Sequence, residues 1–290
     1  MYNKNSWAVA LLIIFSFSCS DDNATQPTET GTFQVFFDNK IGASEVTLRE
    51  PGNTTAYDYE TASGQKFNLS ELGYYISEIK LEGPDGALYE DEMTANASEA
   101  KGYYLIREAV SGSGSITLEN VPAGKYDRIT FTLGVKEEGI TEGAVGGSLD
   151  PAGDAALWFW RWNSGYIFFK MEGTAENSGQ EYIDFGGGFE ALENTFGFHV
   201  GGWKEVEADD VFANNVKTIT LDLQGSVNVS PELSPLAHVI VDPLKVLDGA
   251  NVDFSTTFSI HSPVAGQPLA EELTDIFLVH HVHQSTQKHD

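Results

Sequence analysis

Short extended runs separated by turn residues restrict the fold of this 290-residue chain more than any other feature. FQVFFDNK, KGYYLIRE and VKTITLDLQGSVNV are rich in the β-branched and aromatic residues that favour strands. GPDG, VPAG and NSG fall between such runs and are typical of tight turns. Because these signals recur about every dozen residues, they predict an all-β fold, an antiparallel β-sandwich.

Helical signals are confined to the C-terminal part of the sequence. Leu269, Leu273, Ile276 and Phe277 repeat at the spacing of one helix face, within the segment PLAEELTDIF. Residues 243–248 are compatible with a turn of helix, although the nearby prolines exclude a longer one. The sequence therefore predicts one or two short helices near the C-terminus.

The N-terminus has the pattern of an export signal that ends at a cysteine. Lys4 precedes an apolar run from Trp7 to Phe17, which is too short to span a bilayer as a helix. Cys19, the only cysteine of the chain, follows directly after the small residue Ser18. We predict that residues 1–18 are a lipoprotein signal peptide and that Cys19 is lipidated, which attaches the chain to a membrane. An ordinary secreted protein with a single cysteine is the alternative.

Polar residues follow the cysteine and precede the first predicted strand. Ser20, Asp21 and Asp22 resemble the acidic tag that directs Bacteroidota lipoproteins to the cell surface. Residues 19–31 are predicted to be a lipidated cysteine with a flexible tether, and residues 32–290 a single domain. We expect an outer membrane lipoprotein that faces the cell surface, with the periplasmic face as the other orientation.

The charge balance limits the partners of the chain. It has 16 basic and 43 acidic residues, which gives a formal net charge of −27. Such a chain repels nucleic acid and anionic lipid headgroups, whereas metal ions, cationic proteins and neutral glycans can approach it. The sequence contains no GxSxG, HExxH or P-loop motif. We therefore expect a binding protein and not an enzyme, with hydrolysis as the least supported function.

Three of the five tryptophans lie in the segment LWFWRWNSGYIFF. This segment is predicted to form a hairpin with residues 163–165 as its loop. In an extended strand, Trp158, Trp160 and Trp162 point to one face. Packing in the core is their default role, and a platform for a sugar ring or a site of redox modification are the alternatives.

Histidines are concentrated in the C-terminal third of the chain. His199 lies in FGFHVGGW, His261 in FSIHSP, and three more lie in FLVHHVHQ. In an extended strand, His281 and His283 share a face and His280 opposes them. A His-x-His pair on a strand commonly holds copper or zinc when a third ligand joins it, although a single histidine is more often structural.

A family resemblance is carried by LGYYISEIKLEGPDG, KGYYLI, ENVPAGKYDRITFTLGV, LDPAGDAALWFWRWNSGYIFFKMEG, FGFHVGG and FSIHSP. These stretches resemble, in order, the MbnP-like family, copper-binding extracytoplasmic proteins with many members among Bacteroidota lipoproteins. The tryptophan-rich core is the specific part of the match, and the strand fragments are weaker. Two positions depart from the pattern: Trp158 stands where a smaller or different residue is frequent, and Lys136 where an aspartate is common.

The resemblance implies a β-sandwich that binds copper through histidine and a tryptophan oxidised to kynurenine. It implies Trp160 and Trp162 as the modified or ligand-adjacent residues, and His199 and His261 as ligands. A di-haem peroxidase of the MauG/MbnH type is the implied partner, because such an enzyme performs the oxidation in better-known relatives. Kynurenine would place an aniline-type nitrogen and a carbonyl where the indole, a poor ligand, had been.

These observations lead to one main expectation, an extracytoplasmic lipoprotein that binds copper for acquisition or sequestration. At least two of its candidate ligands are expected to converge near the tryptophan-rich hairpin. The candidate ligands are His199, His261, His281 and His283. The alternative is a metal-free sandwich domain that binds a glycan or a protein through exposed aromatic residues in a shallow groove.

Overall fold

Strands dominate the computed structural model, which describes residues 29–141, 145–160, 165–204 and 212–284. The predicted all-β sandwich with short C-terminal helices is confirmed. No helix within these ranges is long and apolar enough to cross a membrane.

The described strands are, in chain order, β1 (Thr30–Ile41), β2 (Ser44–Glu45), β3 (Tyr59–Glu60), β4 (Lys66–Glu82), β5 (Leu88–Glu90), β6 (Thr94–Ala95), β7 (Ala100–Lys101), β8 (Tyr103–Arg107), β9 (Ser115–Pro122), β10 (Gly124–Leu133), β11 (Phe159–Trp160), β12 (Gly165–Ala175), β13 (Ile183–Gly186), β14 (Phe189–Ala191), β15 (Thr195–Gly201), β16 (Lys217–Val229), β17 (Leu236–Val241), β18 (Ser259–Ile260) and β19 (Phe277–His283). The described helices are α1 (Glu137–Thr141), α2 (Leu244–Gly249) and α3 (Pro263–Glu272), with 3₁₀ turns at Pro84–Gly86, Gly147–Leu149 and Leu273–Asp275.

Two sheets contain most of these strands. The larger sheet has the order β16-β10-β4-β12-β15-β18, with β3, β5 and β8 paired to β4 and β11 paired to β12. The smaller sheet has the order β19-β17-β1-β2, and β9 also pairs with β1. Two of the strand pairs, β1–β17 and β15–β18, are parallel, so the sheets are mixed and not wholly antiparallel. Both parallel pairs join segments that are distant in the chain, as parallel pairing requires.

Aromatic side chains fill the space between the two sheets. Phe37 and Phe277 of the smaller sheet meet Tyr74 and Phe131 of the larger sheet. The ring centroids of Phe131 and Phe277 are 5.2 Å apart, and the rings meet edge to face. Such contacts add stabilisation to that of the buried apolar area, and they fix the sandwich arrangement.

Helix α3 packs beside β15 and starts at a capped turn. The Ser262 side chain accepts a hydrogen bond from the backbone of Ala265, and Pro263 occupies the first turn. The helical pattern in the sequence extended to Phe277, but α3 ends at Glu272 and Phe277 begins β19. Burial of the Phe277 ring between the sheets takes precedence over the helical spacing.

Each sheet has one face turned away from the core, and histidines lie on both of these outer faces. Both sequence neighbours of His199 on β15 are fully buried, so the His199 side chain points outward. Both neighbours of His238 on β17 are also fully buried, and His238 points outward from the smaller sheet. The two outer faces lie on opposite sides of the sandwich.

Candidate metal centre

His199 and His261 lie side by side at one end of the larger sheet. His199 is on β15, and His261 directly follows β18, the parallel neighbour of β15. Their Nδ1 atoms are 2.9 Å apart and their ring centroids 4.3 Å apart. The Cβ position of Gly197 lies 3.5 Å from the His261 ring, so this imidazole packs over Gly197 at van der Waals distance.

Glu172 on β12 holds the other nitrogen of His199. The Nε2 atom of His199 is 2.6 Å from Oε1 of Glu172. Because a carboxylate only accepts, Nε2 carries the proton and Nδ1 of His199 keeps its lone pair. Metal-binding histidines in proteins commonly donate their second nitrogen to a carboxylate in this way.

The buried Lys170 places a positive charge beside the carboxylates of this region. Its Nζ lies 3.9 Å from Glu172 and 3.5 Å from Glu71, and it donates to the backbone carbonyl of Leu157 at 3.0 Å. Burial acts to raise the pKa of Glu172, but the hydrogen bond from His199 and the charge of Lys170 outweigh it. The pKa of Glu172 therefore lies below its ordinary value, and this side chain is a hydrogen-bond acceptor at neutral pH.

His261 is neutral at physiological pH. Loss of hydration around the ring, followed by the proximity of His199, lowers the pKa of His261 to about 4. The neutral imidazole is the form that binds metal ions, since a protonated nitrogen has no lone pair. In the hydrogen bond between the two Nδ1 atoms, His261 donates to the lone pair of His199, and a metal ion held by both rings would replace this proton.

Trp158 packs on the same outer face, over Lys170 of β12 and Gly73 of β4. Its side chain is fully buried, and its ring centroid lies 4.7 Å from Nζ of Lys170. A Cβ on Gly73 would lie 2.7 Å from this ring, so the close approach requires glycine. Leu157 has a φ of 65°, and the extended segment begins only at Phe159. The Trp158 side chain thus covers the outer face of the larger sheet, and it extends from a turn and not from the predicted strand.

Trp160 packs against β15, the strand that carries His199. It is 6% exposed, and the Cβ position of Gly201 lies 2.7 Å from its ring. Gly201 and His199 are two residues apart on β15, so they share one face of the sheet. Phe159 and Trp160 pair antiparallel with the start of β12. Trp162 and Cys19 lie outside the described residues.

The C-terminal histidines form a second group on the smaller sheet. His281 and His283 share a face of β19, with their Nε2 atoms 2.7 Å apart. The expectation that His280 opposes them is wrong, because a β-bulge inserts His280 into the strand and turns it to the same side. The Nδ1 atoms of His280 and His281 are 2.6 Å apart. The four candidate ligands therefore lie in two groups on opposite faces.

Sequence reasoning did not select Glu172, Lys170 or His238 as site residues. The signal for the first two was present in GYIFFKMEG, where two charges at a spacing of two interrupt an otherwise apolar strand. No local pattern identifies His238, because its neighbours in the fold come from β1 and β19, far away in the sequence.

Comparison with models of protein families matches the family described as MbnP over residues 30–263, which is most of the chain. The chain belongs to the MbnP family. MbnP from Methylosinus trichosporium is a solved structure that resembles it, with 16% sequence identity, a TM-score of 0.43, and coverage of 76% of this chain and 78% of that chain. No curated protein matches the chain.

The MbnP family is associated with copper binding, and the donor set of this chain fits that metal. Imidazole nitrogens suit copper, and metal–imidazole bonds of about 2.0 Å allow two nitrogens 2.9 Å apart to reach one ion. Glu172 supplies the outer partner that fixes His199 in the ligating tautomer. His199 and His261 are thus the residues that would hold copper on this face.

Proposed function

We propose that this MbnP-family protein is an extracytoplasmic lipoprotein that binds copper through His199 and His261. The approach of the two Nδ1 atoms to 2.9 Å, with Glu172 on the far nitrogen of His199, is the observation that carries the proposal. Bound copper would be a redox-active Lewis acid held at the protein surface. The role of the protein is binding for acquisition or sequestration, and it is not an enzyme.

The tryptophan-rich segment provides the remaining part of the proposed centre. Trp160 rests on Gly201, on the face of β15 that carries His199. We propose that Trp160 or Trp162 is oxidised to kynurenine by a di-haem peroxidase of the MauG/MbnH type. The product would offer an amine nitrogen or a carbonyl oxygen next to the histidine pair, whereas the burial of Trp158 against Lys170 suits a packing role.

Copper affinity and intact mass, measured on the same samples, test this function. Protein purified from its natural host is expected to bind one copper ion at the His199–His261 pair and to have the mass change of a tryptophan-to-kynurenine conversion. Recombinant protein made without the peroxidase is expected to bind copper more weakly, because it lacks the third donor. Absence of copper binding in both samples would contradict the proposal.

The alternative function, binding of a glycan or a protein without a metal, would use a different surface of the molecule. Tyr182, Phe185 and Phe189 are exposed on and beside the β13–β14 hairpin, with 57%, 67% and 69% of each residue accessible. Exposed aromatic side chains of this kind favour contacts with glycans or with other proteins. If neither sample binds copper, this hairpin is the surface on which a binding function would rest.

The membrane attachment is tested at the cysteine. Cys19→Ala removes the thiol that would accept lipid, so the protein is expected to move from the membrane fraction to the soluble fraction. Protease treatment of intact cells, applied to the unchanged protein, then distinguishes the cell surface from the periplasmic face. Retention of the Cys19→Ala protein in the membrane fraction, with its signal peptide removed, would contradict lipidation as the anchor.

A further inference from the structure

A second group of histidines lies on the outer face of the smaller sheet. His238 on β17 faces His280 and His281 on β19, and one ligand nitrogen from each lies within 4.8 Å of the others. The ring centroid of His238 is 4.8 Å from that of His281 and 5.5 Å from that of His280. Three imidazoles from two strands therefore converge on one point of the surface.

The β-bulge in β19 produces this convergence. His238 is paired with His281, whereas the next residue of β17, Val239, is paired with Val279. His280 is the extra residue, so His280 and His281 lie on the same face and do not alternate as in a regular strand. Bulges redirect side chains in this way and are frequent at functional sites. The insertion adds a third nitrogen donor to a face that would otherwise present two.

A carboxylate fixes the orientation of His238. Asp38 on β1 lies 2.8 Å from Nε2 of His238, so this nitrogen donates and Nδ1 retains its lone pair. Asp38 is also 3.2 Å from Nζ of Lys40, which keeps a positive charge next to the carboxylate. The arrangement of Asp38 and His238 repeats that of Glu172 and His199 on the opposite face.

The chemistry of these residues matches one class of ligand. Imidazole donors select borderline transition ions, and bonds of about 2.0 Å are within reach after small rotations of the partly exposed rings. Three protein ligands leave a coordination position for water or for a further donor. His283 lies beside this position, with its Nε2 2.7 Å from Nε2 of His281.

We propose that His238, His280 and His281 form a second metal site for Zn²⁺ or Cu²⁺, separate from the His199–His261 pair and oriented by Asp38. This site does not depend on the function of the first pair, since it lies on the other sheet and shares no residue with it. The acidic chain, with its net charge of −27, favours the approach of divalent cations to both.

The test uses the full chain with the first pair removed. In the His199→Gln/His261→Gln protein, one Zn²⁺ ion is expected to bind in competition with a chromophoric chelator. Adding Asp38→Asn keeps the three ligands and is expected to weaken Zn²⁺ binding by about 10- to 100-fold. Adding His281→Gln removes a ligand, and it is expected to weaken binding more than Asp38→Asn does.

A matched control and a second ligand variant make the result decisive. Leu278 is an exposed residue of the same strand, so Leu278→Gln is expected to leave Zn²⁺ binding unchanged. His280→Gln alters an exposed side chain, so a folded variant is expected, with the same loss as His281→Gln. Absence of Zn²⁺ binding in the starting protein, or binding that neither histidine variant weakens, would overturn the second site whatever the copper result at the first.

Discussion

His199→Gln is expected to abolish tight copper binding at the His199–His261 pair. The substitution removes one of two converging nitrogens. It also removes the imidazole N–H from which Glu172 accepts a hydrogen bond. Loss of an outer partner alone commonly weakens metal binding about 10- to 100-fold, so loss of a ligand is expected to exceed about 100-fold. Competition with a copper chelator of known affinity, in protein that also carries His238→Gln/His281→Gln, measures this change.

Two variants separate loss of a ligand from general damage at this site. Glu172→Gln keeps both imidazoles and is expected to weaken copper binding by about 10- to 100-fold, because the tautomer of His199 is no longer fixed. His283→Gln makes the same kind of change on the opposite face and is expected to leave the first site unaffected. Equal copper affinity in the His199→Gln and unchanged proteins would rule out His199 as a ligand.

Trp158→Ala is expected to lower the free energy of unfolding by about 3–5 kcal/mol, the range for large buried aromatic residues. The side chain is fully buried, and its ring meets Tyr75 edge to face at 6.2 Å between centroids. It also covers the ammonium group of Lys170, which would become more hydrated after the substitution. Equilibrium unfolding in urea, followed by circular dichroism, measures the loss.

Neighbouring substitutions show whether this loss comes from packing. Trp158→Phe retains an aromatic ring and is expected to lose less stability than Trp158→Ala. Leu157 is 78% exposed, so Leu157→Ala is expected to change the free energy of unfolding by no more than about 0.5 kcal/mol. A Trp158→Ala protein as stable as the Leu157→Ala protein would contradict the packing role.

The fold was predictable because local patterns dominate it. Alternation of apolar residues and turn signals identified strands such as β16, and residues 243–248 anticipated α2. Strand pairing was not predictable to the same extent. The parallel contact of β1 with β17 joins the first strand to residues 236–241, which are distant in the chain, and no local pattern encodes it.

The residue types of the candidate site were predictable from the sequence, but which histidines lie together was not. His199 and His261 lie together as the family resemblance implied. The C-terminal histidines, which are also candidate ligands, lie on the other sheet, because only the pairing of β17 with β19 decides their surroundings. A one-residue bulge places His280 on the same face as His281, and a bulge leaves no reliable signal in a single sequence.

Trp158 and Trp160 lie on the same face of the larger sheet, but strand alternation is not the cause. Alternation requires a continuous strand, whereas the residue before Trp158 has a positive φ and the strand begins at Phe159. Glycines on neighbouring strands determine where the rings lie, since Gly73 receives Trp158 and Gly201 receives Trp160. The position of these glycines across the sheet depends on strand register, which the sequence does not state.

The central claim, that His199 and His261 bind one copper ion together, is tested most directly by pulsed electron paramagnetic resonance. The measurement uses one equivalent of Cu²⁺ in the His238→Gln/His281→Gln protein, so that the second group does not contribute. Modulation from two imidazole rings is predicted, with one ring lost in each of His199→Gln and His261→Gln. A spectrum that neither substitution changes would contradict the claim.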